Sequence, residues 1–271
     1  MELRAEPADV FSSKDELEEG EKTYNEALQK YEKELGLNHE KTLDIVNRLG
    51  TLYRKSARHN EAETMYQRAL HGYETTFGPY HEFTLLTLSN LGNLYAETER
   101  PEEAEKTYLK VIQGCEEALS PDNEVTLGVY SNLGVFYKRG GRLEKARDLY
   151  ERALQGEEQK HGKSGIETLR TVSNLGTLHR ALGDFGQSEK MLKRALAGFK
   201  KTCGPDHVYT FDTYLNLGNL YSDTGDFPKA EKMYTKAIEG YELAWGPEHP
   251  RTLQAEANLE SLFEPIEGGD E

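Results

Sequence analysis

The chain has 271 residues and a formal net charge of −15. It contains no apolar run approaching the ~20 residues that a membrane-spanning helix needs, and no charged-apolar-small leader opens it. An acidic balance of this size disfavours nucleic acid as the main ligand, because phosphate contacts require a basic surface.

In chain order, residues 1–14 read as a flexible tail and 15–36 as a single helix. Five complete helix pairs follow over 39–78, 81–120, 123–162, 165–204 and 207–246, and a last helix covers 249–263 before an acidic tail at 264–271. The signal behind these boundaries is a period of 42 residues without insertion or deletion. Asn-Leu-Gly recurs at Asn90-Leu91-Gly92, Asn132-Leu133-Gly134, Asn174-Leu175-Gly176 and Asn216-Leu217-Gly218, with Arg48-Leu49-Gly50 upstream and Asn258-Leu259-Glu260 downstream. Thr-Leu opens each first helix at Thr42, Thr84, Thr126, Thr168 and Thr252, and Thr210-Phe211 is the variant. In Leu49-Gly50-x-x-Tyr53 the Leu and Tyr share a helical face, and the Gly admits a closely approaching partner helix. In Ala62-x3-Tyr66-x2-Ala69 the spacing makes a matching stripe on a second helix. Gly140-Gly141, Gly183-Asp184 and Gly225-Asp226 break the chain within pairs. Gly78-Pro79, Ser120-Pro121, Gly204-Pro205 and Gly246-Pro247 break it between pairs.

A fixed period in this range specifies a solenoid whose units bury their apolar faces only against neighbours. The Leu-Gly-x2-Tyr and Ala-x3-aromatic pattern resembles the tetratricopeptide repeat over roughly residues 15–263. The linker Gly-Pro-x-His-x-x-Thr-Leu, at 78–85 and 246–253, is similar to the 42-residue repeats of kinesin light chains and to the C-terminal repeats of fungal nucleotide-binding, immune-receptor-like proteins. The resemblance implies an all-α fold, a tetratricopeptide-repeat solenoid forming a right-handed superhelix of antiparallel helix pairs with about twelve helices. The half-units at 15–36 and 249–263 are either caps or the edges of a longer array.

Catalytic and metal motifs do not survive inspection. His161-Gly162-Lys163-Ser164 imitates the end of a phosphate-binding loop, but Glu157 stands where that motif needs glycine. His39, His81, His207 and His249 recur because the turn recurs, one helix-pair width apart, too far to share a metal. Cys115 and Cys203 lie two repeats apart on different helices, too far for a disulfide, and the chain has no Asn-x-Ser/Thr acceptor. The expectation is a soluble cytoplasmic protein that is not an enzyme, with no cofactor or metal.

Binding is expected on the face of the first helices, which the resemblance places on the concave groove. One position there carries Arg48, Asn90, Asn132, Asn174, Asn216 and Asn258, and Asn93 and Asn219 fall nearby. In the similar kinesin light chain repeats, Asn residues at this place contact cargo peptides. The ladder has two readings: the amides complement an extended peptide backbone, or they are structural glue between repeats. Cations on the same face are Arg48, Arg54, Lys55, Lys138, Arg139, Arg170 and Arg180, against Asp212 and Asp223 in the fifth unit. A basic groove in an acidic protein would focus an acidic peptide. Lys138 and Arg139, beside a Gly-Gly turn, are assigned to the helix dipole, and Arg48 and Arg170 to the groove.

The function expected is a protein–protein interaction module holding an extended or helical acidic segment of a partner, the module itself a monomer. The alternatives are an effector-sensing or self-association segment of a nucleotide-binding receptor, and a cargo adaptor similar to kinesin light chain. The adaptor is weakened by the absence of a heptad region.

Overall fold

A computed structural model describes residues 14–263, and these form twelve α-helices with no strand among them. The tails expected over 1–14 and 264–271 lie outside the described residues, apart from Lys14. The helices are α1 (Lys14–Leu35), α2 (Glu40–Lys55), α3 (His59–Phe77), α4 (Glu82–Glu97), α5 (Pro101–Ala118), α6 (Glu124–Arg139), α7 (Leu143–His161), α8 (Ile166–Ala181), α9 (Phe185–Thr202), α10 (Val208–Asp223), α11 (Phe227–Trp245) and α12 (Pro250–Glu260). The chain divides into two compact units, one up to Leu133 and one from Gly134, so that the division falls within α6.

The recurrent residues have identifiable jobs. Each Thr of the Thr-Leu pair is buried and donates its hydroxyl to a carbonyl just past the end of the preceding helix: Thr42 to Gly36 at 2.8 Å, Thr84 to Gly78 at 2.8 Å, Thr168 to Gly162 at 2.9 Å and Thr210 to Gly204 at 2.9 Å. The carbonyl would otherwise be an unmatched acceptor beside a helix end. Gly78, with φ +96°, can supply this reversal without a Cβ penalty. The recurrent histidines cap the first helices: Nδ1 of His39, His81, His207 and His249 accepts from the backbone N–H two residues on, at 3.2 to 3.3 Å.

In the first unit the core is Tyr24, Leu43, Val46, Leu49, Tyr66, Tyr73 and Leu91. In the second unit it is Leu169, Val172, Ala195 and Phe199, and separately Leu217, Leu220, Tyr234, Tyr241 and Ala255. Glycines set the helix-to-helix distance twice per repeat. A Cβ on Gly50 would stand 2.7 Å from the Tyr66 ring, and one on Gly218 2.5 Å from Tyr234. A second series on the other helix is as tight: Gly72 against Leu43 at 2.4 Å, Gly198 against Leu169 at 2.3 Å and Gly240 against Phe211 at 2.2 Å.

Successive repeats are also joined by polar groups. Tyr53 donates to Glu21 at 3.1 Å and Tyr95 to Glu63 at 3.2 Å, while Arg58 and Arg100 pair with the same carboxylates at 2.6 and 2.7 Å. Each guanidinium lies over its tyrosine ring at 4.2 Å. Position for position, this Glu-Tyr-Arg group ties a second helix to the repeat that follows it.

Candidate functional site

The first helices carry the polar residues of this ladder at one-repeat spacing, and the structure separates them into engaged and unengaged groups. In the first unit, Asn90 Nδ2 donates to Asn47 Oδ1 at 3.3 Å, and Asn93 Oδ1 accepts from the Tyr108 hydroxyl at 2.6 Å. In the second unit Asn219 Oδ1 accepts from Tyr234 at 2.9 Å and from Asn258 Nδ2 at 3.0 Å. Asn90, Asn93, Asn219 and Asn258 are therefore hydrogen-bonded between helices. Asn132, Asn174 and Asn216 are half-buried, and their side-chain amides make no hydrogen bond among the described residues.

The cations sort in the same way. Arg48 Nε bonds Asp44 Oδ2 of its own helix at 2.8 Å, and Arg170 bonds Glu167 of its own helix at 2.6 Å. Arg54 reaches Glu97 in the next repeat at 2.5 Å, and Arg180 reaches Asp223 at 2.9 Å. Asp212 pairs with Arg251 and accepts from Tyr241 at 2.6 Å. Lys138 has no carboxylate partner among the described residues. Its Nζ donates to Thr177 Oγ1 on α8 at 2.6 Å, and burial, followed by the positive charges of Arg180 and Arg139, pulls its pKa down to about 8. Although it lies in the last turn of α6, Lys138 thus spans to the next repeat. Thr177 is free to accept it because Leu192 stands where Tyr66, Tyr108 and Tyr234 send a hydroxyl to the equivalent residue of their own repeat.

One buried acid was not anticipated as such. Glu157, only 4 % exposed, accepts from Thr171 at 3.1 Å while its second oxygen has no partner. Burial raises its pKa to about 7. Its position carries Tyr73, Cys115, Phe199 and Tyr241 in the other repeats, so a break in an apolar column was the available signal.

Among the described residues no cluster of His, Cys, Asp or Glu is placed to hold a metal, both cysteines are free, and no helix is long and apolar enough to cross a membrane. Lys163 lies in the turn after α7, away from any strand-to-helix phosphate cradle.

The model of the tetratricopeptide repeat matches residues 8–75, 43–117, 83–159, 125–201 and 167–243, overlapping windows that together cover most of the chain. The chain belongs to the tetratricopeptide-repeat family. No curated protein matches it in sequence. Among solved structures it is similar to BtubC (BKLC) from P. vanneervenii, with a TM-score of 0.69 and 22 % identity over 86 % of this chain and 94 % of that one. It is also similar to the nearly identical repeats of a putative kinesin light chain from Podosopora anserina, with a TM-score of 0.61 and 17 % identity over 75 % and 96 %. A third is aspartyl phosphate phosphatase F from Bacillus subtilis, with a TM-score of 0.63 and 13 % identity over 94 % and 69 %. At these identities the likeness concerns the fold, a solenoid of helix pairs. As a tetratricopeptide-repeat protein, the chain carries a scaffold typical of protein–protein interaction.

Proposed function

We propose that this tetratricopeptide-repeat protein is a non-enzymatic module that holds an extended or helical, acidic segment of a partner protein against its first helices. The observation that carries the reading is the state of Asn132, Asn174 and Asn216. Asparagine in a helix interior costs roughly 0.7 kcal/mol relative to alanine. Asn90 and Asn258 offset that cost with a bond to a neighbouring repeat, whereas these three have no such bond among the described residues. Each leaves two donors and an acceptor available to the N–H and C=O groups of a bound backbone. The acidic preference rests on Lys138 and Arg139, cations without a carboxylate partner among the described residues. Arg48, Arg54, Arg170 and Arg180 contribute less, because a ligand must compete with the acids they already hold.

An array of twelve-residue acidic, neutral and basic peptides, probed with wild type, Asn132→Ala and Arg170→Glu, tests this reading. The acidic peptides should be retained, less so as salt is raised. Arg170→Glu should weaken them, since it adds repulsion. Asn132→Ala should bind several-fold more weakly, with a stability within about 0.5 kcal/mol of wild type. An Asn132→Ala protein that melts much earlier yet binds normally would make the ladder structural, and equal retention of acidic and basic peptides would remove the acidic preference.

A further inference from the structure

Resting on that reading, we propose that Lys138 is the anchor of an oxyanion subsite in the second unit, taking a carboxylate of the bound acidic segment, with Arg139 and Arg180 as its flanking cations. Arg54 bonds Glu97 and Arg180 bonds Asp223, in both cases with a separation of 43 residues, so the residue at the cation position of one repeat pairs with the acid one place further on in the next. Lys138 occupies the same cation position, and the residue 43 places on is Ala181. The ladder therefore lacks one carboxylate at this step. Lys138 falls back on the neutral hydroxyl of Thr177, which offsets none of its charge.

The neighbourhood is short of acceptors beyond that one step. The Tyr150 hydroxyl is buried without a partner among the described residues because Val135 replaces the Thr or Asn that receives the equivalent tyrosines, and Arg180 Nε, like Arg54 Nε in the first unit, is buried without one. The groups facing Lys138 are Arg139 on its own helix and Arg180 and Thr177 on α8. The Asp223 carboxylate of α10 is already committed to Arg180. Arg139 is exposed. The depressed pKa of Lys138 is what burial and two like charges produce, and an incoming oxyanion relieves the second cause. Surplus donors, a partly buried ammonium and an exposed guanidinium beside it make a point that an anion satisfies and a neutral side chain does not.

The test rebuilds the missing acid. A fluorescein-labelled octaglutamate peptide, a neutral octapeptide bearing one phosphoserine, the unphosphorylated octapeptide and inorganic phosphate are titrated by anisotropy or competition into wild type, Ala181→Glu, Lys138→Gln and Ala244→Glu. Ala181→Glu places a carboxylate at the register of Glu97 and Asp223, and Ala244→Glu adds the same charge at an exposed place on α11. Octaglutamate binding should fall at least tenfold in Ala181→Glu and Lys138→Gln, with no loss of melting temperature in Ala181→Glu, and should stay within twofold in Ala244→Glu. Lys138-dependent binding of the phosphoserine peptide but not of octaglutamate would overturn the carboxylate assignment and make the subsite one for phosphate. Wild-type affinity in Ala181→Glu overturns the subsite. If Arg48→Glu nevertheless weakens octaglutamate, the groove reading stands without the anchor; if wild type binds none of the probes, both fall.

Discussion

Replacing Glu157 with methionine is expected to stabilise the protein at neutral and alkaline pH by on the order of 3 kcal/mol, and to leave its stability in acid nearly unchanged. Folding raises the carboxyl from its ordinary 4.5 to about 7, and each tenfold change in proton affinity is worth about 1.4 kcal/mol. The sign follows from linkage. Below pH 4.5 both folded and unfolded chains hold the proton and burial carries no ionic penalty; between 4.5 and 7 the unfolded chain releases it first, so stability is lost as pH rises. Above 7 the loss is complete. Methionine has a similar volume and restores the apolar character that Phe199 and Tyr241 show at this position. Urea melts of wild type and Glu157→Met at pH 4, 5, 6, 7 and 8 should give curves that coincide in acid and diverge through pH 6. Parallel curves would mean that Glu157 ionises in the folded protein as readily as in the unfolded one.

Gly240→Ala is expected to destabilise by about 2 kcal/mol, although alanine is the better helix former. The added Cβ meets three atoms of the Phe211 ring at 2.2 to 2.5 Å. Phe211 is 4 % exposed and packs edge-on to Tyr241 with centroids 6.0 Å apart, so the ring has nowhere to retreat. Overpacking of this kind costs up to about 3 kcal/mol, and the gain in helix propensity returns at most about 1 kcal/mol. Gly186→Ala supplies the contrast: its Cβ meets nothing closer than 3.9 Å, so the propensity gain should appear alone, as a rise in melting temperature. A Gly240→Ala protein at least as stable as wild type would show that α10 and α11 separate at little cost.

Much of this fold was legible because its information is local to one repeat. The 42-residue recurrence of Leu-Gly-x2-Tyr places the helices, and close approach at Gly50 and Gly218 follows from that pattern. The second glycine series, at Gly72, Gly198 and Gly240, recurs at the same period, and its partners Leu43, Leu169 and Phe211 lie on the other helix of the pair. The site was harder to read. Arg54 looks like a free groove cation until Glu97 is seen opposite it, and Arg180 likewise until Asp223 is. These partners sit 43 residues away, one place out of step with the repeat, so alignment of equivalent positions does not bring them together. The same holds for the amides: Asn90 and Asn132 occupy the same position, yet only Asn90 has an Asn47 one repeat earlier to receive its side chain.

The central claim, that an acidic segment lies along the first helices and uses their unengaged amides, is tested most directly by the side-chain NH2 resonances of asparagine. In a 15N-labelled sample titrated with an acidic peptide retained on the array, the Nδ2–H signals of Asn132, Asn174 and Asn216 should shift progressively and saturate together. Signals from asparagines outside the groove, such as Asn38 and Asn60, should stay in place. Saturable binding that leaves the Asn132, Asn174 and Asn216 amides unmoved would place the ligand on another surface and contradict the account.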